Sequence, residues 1–182
     1  MATPPDFSPG QVLTAAHMDA VGLWLVKSQT IGTGVSSVTV TDAFSADYDN
    51  YRIIVSGGAS NTALALGLQL GTSLTGSGYY SGVVGTNYTG GTSSGTDNNN
   101  TTWTIAGSAM PDGLALDVDL FGPFLTQKTG VSFNSRVDYR TNGAGTMGNG
   151  FHNSATSYTG FALIVSGTMT GGTITVYGYR KA

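Results

Sequence analysis

The pattern of hydrophobic and polar positions along the chain changes its period near residue 23. Up to that point, in VLTAAHMDAVGL, one helical face is formed by Leu13, Ala16, Ala20 and Leu23. Thr14 is a candidate N-cap, and Gly22 is placed to end the helix. The predicted helix has only about two to three turns, which is too short to be stable alone. We therefore expect it to pack against its own domain, other copies of the chain or another protein.

From residue 23 onward, apolar and polar positions alternate with a period of two, which indicates β-strands. The clearest runs are ALALGLQLG at 63–71 and LALDVDLFG at 114–122. About nine or ten such runs are separated by Gly, Asn and Ser turns, and no strand–helix alternation occurs. The pattern predicts an all-β fold, an antiparallel β-sandwich or jelly roll over 23–182. An extended Pro-rich arm and the short helix precede it over 1–22.

Two polar stretches interrupt the alternation. They are TGGTSSGTDNNNTT at 89–102 and TNGAGTMGNG at 141–150. Their composition predicts long loops. Long loops at the ends of a sandwich are either solvated connectors or recognition segments, and both interpretations stay open.

The composition suggests a surface that is covered in the assembled state. Only 9% of the residues are charged, against roughly 25% in an ordinary soluble domain. So few charges are typical of a protein that packs against copies of itself or against partners. The net charge of −3 and the scattered basic residues argue against nucleic-acid binding. No run of residues is long enough to span a membrane, so we expect no membrane insertion.

The side chains that carry chemistry are sparse and dispersed. Cysteine is absent, and the N-terminus lacks the features of a signal peptide, so we expect folding in a cytoplasm. His17 and His152 lie far apart, while Asp117 and Asp119 alternate along one strand as solubilising residues do. We therefore expect no enzymatic activity, no cofactor and no metal site.

Aromatic residues beside predicted loops are the remaining candidates for recognition. Flat rings next to amides and carboxylates are what sugar binding requires, because rings cover the apolar face of a sugar and polar groups pair with its hydroxyls. The alternative is that these rings fill the rim of the sandwich or a subunit interface. The candidates for contact with a receptor or glycan are Tyr79, Tyr80, Tyr88, Trp103 and Tyr158.

Three phrases of the sequence resemble small virion proteins of tailed bacteriophages, of the tail-fibre and head-fibre type. The first is FSPGQVLTAAHMDAVGLWLVKSQTIG, which is similar to their anchor and first strand, and the last is YTGFALIVSGTMTGGTITVYGYRKA, which is similar to a final jelly-roll hairpin. Between them, AFSADYDNYRIIVSGG resembles the early core strands. The resemblance implies a virion structural protein, commonly a homotrimer, with an N-terminal attachment region and a distal β-sandwich.

The resemblance and the apolar helix together single out an anchoring or oligomer interface near the N-terminus. Its candidate residues are Val12, Leu13, Ala16, Met18, Ala20, Leu23 and Trp24. The expected partners are other copies of the chain, other virion proteins of tail or capsid, and a host surface glycan.

The leading expectation is a tail-fibre or receptor-binding component of the virion. The close alternative is a capsid decoration or head-fibre protein, which would use the same arm to grip the shell. From other classes, a glycan depolymerase would need converging carboxylates, and a free lectin-like module would leave the helix unexplained.

Overall fold

Antiparallel β-strands make up most of the described chain. A computed structural model describes residues 9, 10, 12, 22–73, 76–87, 89–137 and 144–180. These ranges contain thirteen strands, more than the sequence pattern predicted. Within them, no helix has the length and hydropathy that crossing a membrane requires. The strands are β1 Leu23–Thr30, β2 Val35–Val40, β3 Tyr48–Gly57, β4 Ala59–Ser60, β5 Leu64–Leu70, β6 Tyr79–Asn87, β7 Thr92–Asn100, β8 Trp103–Met110, β9 Gly113–Phe121, β10 Thr129–Val137, β11 Ala144–His152, β12 Phe161–Thr170 and β13 Thr173–Arg180.

The sheet divides into two arms at β9. One edge of β9 pairs with β3. The other edge pairs with β8 over 113–116 and with β10 from residue 117 to residue 121. The large arm therefore has the order β1-β13-β3-β9-β10-β11-β6-β7, and the small arm has the order β2-β12-β5-β8. The short strand β4 pairs with β12 in the small arm.

The two arms share one hydrophobic core, which is consistent with a β-sandwich and confirms the predicted all-β class. Leu116, Val118 and Leu120 of β9 are buried on the inner face, as the alternation at 114–122 predicts. The Phe44 ring joins the arms, since its centroid lies 4.8 Å from that of Tyr51 in β3 and 5.8 Å from that of Phe161 in β12. Burial of such apolar side chains is the main force that holds the layers together.

The two stretches predicted as loops form strands instead. Residues 92–100 form β7, which pairs with β6 at the rim of the large arm, and residues 144–152 form β11, which lies between β10 and β6. Both predictions were wrong. The composition of these segments indicates only a weak intrinsic preference for strand, and hydrogen bonding to the neighbouring strands overrides that preference.

The glycines of β11 have a packing reason. A Cβ atom at Gly148 would lie 2.6 Å from Cε2 of Phe133, so only glycine leaves room for that buried ring. A glycine-rich strand of this kind has no hydrophobic alternation on its inner face, and the sequence signal for a strand disappears.

The predicted N-terminal helix lies outside the described residues, apart from its ends. Val12 is 81% exposed, and Gly22 has a φ of 62°, which glycine adopts without strain. The helix, its candidate cap and the boundary between 1–22 and 23–182 stay predictions. The following residue, Leu23, begins β1 and is not part of a helix.

Candidate functional site

The outer face of the large arm carries a row of residues, most of them with large side chains, that crosses seven strands. Cross-strand register places seven residues of seven successive strands side by side, and we call them the aromatic row. In order from β1 to β6 they are Leu23, Tyr179, Asn50, Phe121, Gly130, Phe151 and Tyr80. A row of direct neighbours is the unit in which side chains on one sheet face interact.

The rings at the β6 end of the aromatic row are arranged as a flat ledge. Tyr80 and Phe151 stack with centroids 5.1 Å apart and planes inclined by 11°. Nζ of Lys128 lies 5.7 Å from the centroid of Phe151, which is within cation–π range. Gly130 has no side chain, and the ring of Phe121 lies against its backbone. The ledge is therefore apolar, and the charged group of Lys128 lies at its edge.

Beside the aromatic row, a polar network crosses β13, β3 and β9. Nη2 of Arg52 donates to both carboxylate oxygens of Asp117 at 2.6 Å, and its Nη1 lies 3.9 Å from Oδ2 of Asp119. The hydroxyl of Tyr179 donates to Oδ1 of Asp119 at 2.6 Å. The hydrogen bond to Asp117 raises the pKa of Arg52, while burial and the bond to Asp119 raise the pKa of Tyr179. The two aspartates thus pair with Arg52, and Asp119 also accepts a hydrogen bond from Tyr179.

A second feature lies at one end of the sandwich, where the segment after β5 and the segment after β11 approach each other. They enclose a cavity of about 550 Å³. Rings, amides and hydroxyls line it, among them those of Tyr158, Asn99, Asn153, Ser73 and Ser77. We call it the end pocket.

His152 closes the inner side of the end pocket and is 5% exposed. Its Nε2 lies 3.0 Å from the carbonyl oxygen of Ser77, and its Nδ1 lies 3.2 Å from the hydroxyl of Tyr158. A carbonyl only accepts, so Nε2 carries the proton and Nδ1 accepts from Tyr158. Burial lowers the pKa of His152. This histidine joins two loops in its neutral form, which is a structural role.

Two of the predicted recognition residues, Tyr79 and Trp103, are buried next to the end pocket. Trp103 is fully buried, its indole N–H donates to the carbonyl oxygen of Tyr80 at 3.3 Å, and its ring meets that of Tyr79 edge-on at 5.0 Å. The Tyr79 hydroxyl accepts from the amide of Leu70 at 2.8 Å, and burial raises the pKa of Tyr79 strongly. The rim-filling interpretation fits both residues, since neither indole nor phenol presents a face to solvent.

A buried carboxylate fixes the rim of the large arm near the pocket. Asp97 is 4% exposed and accepts from the hydroxyls of Ser81 and Thr104, the side-chain amide of Asn100 and the amide of Thr104. These bonds join β6, β7 and β8 at the point where β7 bulges. Each carboxylate oxygen of Asp97 therefore accepts two hydrogen bonds from other groups of the fold, as a buried carboxylate requires.

The remaining predicted site residues are distributed as follows. Tyr80 lies on the aromatic row and Tyr158 lines the end pocket, so the structure does not bring the candidate aromatics to one surface. Leu23 is 43% exposed on the aromatic row, while Trp24 follows it in β1 and points to the other face. Val12 is exposed. The positions outside the described residues are Leu13, Ala16, Met18, Ala20 and Tyr88.

Sequence reasoning missed two exposed apolar residues of the outer face. Met147 and Phe151 are 62% and 41% exposed and belong to β11, which was predicted as a loop. Together with Asn149 they occupy every second position, and this period of two identifies the face once β11 is assigned as a strand.

The described residues contain no group of three or more His, Cys, Asp or Glu side chains placed to hold a metal ion. What they offer chemically is an apolar face and a neutral polar cavity. No family model, curated protein or solved structure matches the chain.

The burial of Trp103 leads to a first prediction. Trp103→Ala should lower the free energy of unfolding by about 3–5 kcal/mol, because it leaves a large cavity in the core. Tyr80→Ala removes a half-buried ring from the outer face and should cost only about 1 kcal/mol. Urea unfolding of both variants, compared at constant m-value, measures the difference. Equal losses would contradict the assignment of Trp103 to the core.

The environment of His152 leads to a second prediction. Its pKa is lowered from the ordinary value of 6.5, so the unfolded chain binds the proton more tightly than the folded protein. The free energy of unfolding should therefore be independent of this group above 6.5 and fall as the pH drops below it.

Urea unfolding between about pH 7.5 and 5.5 tests this slope. His152→Gln should flatten it, whereas the control His17→Gln, at the one other histidine of the sequence, should leave it unchanged. A slope that survives His152→Gln would assign the pH dependence to another group.

Proposed function

We propose that this chain is a non-enzymatic structural component of a bacteriophage particle, which assembles with copies of itself through the outer face of its large arm. The support from sequence is the resemblance of residues 7–32 and 158–182 to tail-fibre and head-fibre proteins. In this proposal the β-sandwich is of the jelly-roll type, the oligomer is a homotrimer, and the N-terminal segment attaches it to the virion.

The observation that carries the proposal is the location of the exposed large hydrophobic side chains. Among the described residues there are seven, and all except Val12 project from the outer face of the large arm. These six are Leu23, Leu25, Val84, Phe121, Met147 and Phe151. Exposed large apolar side chains that cluster on one sheet face, rather than being scattered over the surface, are typical of an interaction surface.

The size and charge of this face fit a second copy as its occupant. The face is seven strands wide from β1 to β6. If three successive rows of outward-facing side chains are counted along the strands, its area is about 600 Å² per copy, which is near the lower end of specific interfaces. Arg52 is balanced by Asp117 and Asp119 within the same face. Identical copies therefore meet with little repulsion, in agreement with a chain of which only 9% of residues are charged.

Within the virion, the favoured place is a tail-fibre or receptor-binding component. The end pocket supports this choice, because it leaves a polar concavity available when the outer face is covered. A capsid decoration or head-fibre protein is the second candidate, and it would need only the apolar face and the N-terminal attachment.

The self-association has a direct test. Met147→Lys with Phe151→Lys should convert the oligomer to monomer, since burying two added charges in a subunit interface is unfavourable. Ala65→Lys, at an exposed position of β5 in the small arm, is the matched control and should leave the oligomer intact. Light scattering after size-exclusion chromatography measures the molar mass. A wild-type monomer, or an oligomer that survives the double substitution, would refute assembly through this face.

The location in the particle has its own test. Immunogold electron microscopy of intact virions, with an antibody against residues 25–182, should label the tail fibres or tail tip. Label distributed over the head would favour the capsid role instead. Absence of label on purified particles, while the same antibody detects the free protein, would refute the virion assignment.

A further inference from the structure

The end pocket differs from the outer face in position and in chemistry. It lies beyond the ends of β5 and β11, and its volume of about 550 Å³ falls in the range of small-molecule sites. It is lined by side chains that the outer face does not use, among them Tyr158, Asn99 and Asn153. A ligand there would not compete with a second copy of the chain.

The lining of the end pocket defines the chemistry that it recognises. The described lining residues contribute amide and hydroxyl groups from Asn99, Asn153, Ser73 and Ser77, and none of them is Asp, Glu, Lys or Arg. Amides and hydroxyls both donate and accept, so they match a ligand that carries several hydroxyl groups. Recognition of an anion would require a cationic partner, which this lining does not provide.

An aromatic ring gives the pocket its apolar side. Tyr158 is half-buried and lines the pocket, and its hydroxyl is bonded to Nδ1 of His152, so the ring is held in place. Such a ring covers the C–H face of a pyranose, while the amides and hydroxyls around it pair with the equatorial groups.

The pocket is also rigid on its inner side. His152 bonds to the loop carbonyl of Ser77, and the Tyr79 hydroxyl bonds to the amide of Leu70 at the end of β5. Asn99 lines the pocket with a φ of 59°, and the described residues include only one other non-glycine with positive φ, Asp42. Asparagine adopts this left-handed conformation more readily than most residues, so Asn99 keeps its position beside the pocket with little strain.

From these observations we propose that the end pocket binds a neutral saccharide, a single uncharged hexose unit of a larger glycan, with Tyr158 against the sugar ring and Asn99 and Asn153 on its hydroxyls. This inference deepens the proposed role in host attachment and rests on it for its biological meaning. The binding itself is a property of the purified protein and does not depend on the virion assignment.

The experiment is saturation-transfer NMR on the full chain with methyl glycosides of glucose, galactose and N-acetylglucosamine. We expect saturation of at least one of them, with a dissociation constant of about 1 mM for a ligand of this size. Asn99→Gly removes the amide while keeping the backbone conformation, and it should weaken binding roughly threefold to tenfold. Tyr158→Leu should abolish it.

Matched substitutions on the outer face serve as controls. Asn149→Ala and Tyr80→Leu remove an amide and a ring outside the end pocket, and they should leave binding unchanged. Circular dichroism and the thermal midpoint verify that each variant is folded.

Three results would overturn the proposal. One is the absence of saturation for every neutral glycoside at tens of millimolar with folded protein. Another is binding that Tyr80→Leu removes and Asn99→Gly does not. The last is saturation of methyl glucuronide, added to the set as an anionic comparison, without saturation of any neutral glycoside. The first or third result would leave self-association and virion labelling untouched. Conversely, failure of those two tests would leave saccharide binding standing, so the two proposals fail separately.

Discussion

The structure depends on the pairing of β9 along both of its edges. β3 follows one edge, and the other edge passes from β8 to β10 between Leu116 and Asp117. Because β8 continues into the small arm and β10 continues into the large arm, this exchange of partners is where one sheet becomes two layers. The alternation of Leu114, Leu116, Val118 and Leu120 then fixes which face of β9 becomes the core.

The same register determines what is left outside. Every residue of the aromatic row is placed by a cross-strand pair, so once the inner face of β9 is set, the row from Leu23 to Tyr80 must face away from the core. The small arm lies on the inner side of the large arm, and the described residues include no segment that covers the outer side. The topology therefore decides which residues face outward, and the large apolar ones among them, such as Phe121 and Met147, are left exposed in the described chain.

The sequence was informative where local patterning and tertiary environment agree. ALALGLQLG and LALDVDLFG were predicted as strands because apolar residues recur at every second position, and in the structure both segments have a partner strand on each side. β7 and β11 were missed for the opposite reason, since their strand character comes from neighbours: Gly148 is required by the ring of Phe133, and Asp97 is held by Ser81, Asn100 and Thr104. The end pocket was also beyond sequence reasoning, because it is built from loops separated by about eighty positions. Aromatic residues were identified as the interesting class, but pattern alone did not distinguish the buried Trp103 from the half-buried Tyr80 and Tyr158.

The two candidate surfaces share a common support in β6 and β11. Tyr80 pairs with Phe151 across these strands, and the next pair, Tyr79 with His152, points to the opposite face. The first pair builds the ledge of the aromatic row and the second closes the end pocket, with ring centroids of Tyr79 and His152 4.3 Å apart. Adjacent pairs on one ladder cannot shift independently, because a slip of one residue would exchange the two faces. The register that places the apolar ledge on the outer face is therefore the same register that assembles the pocket, and a change in one surface has to be examined for its effect on the other.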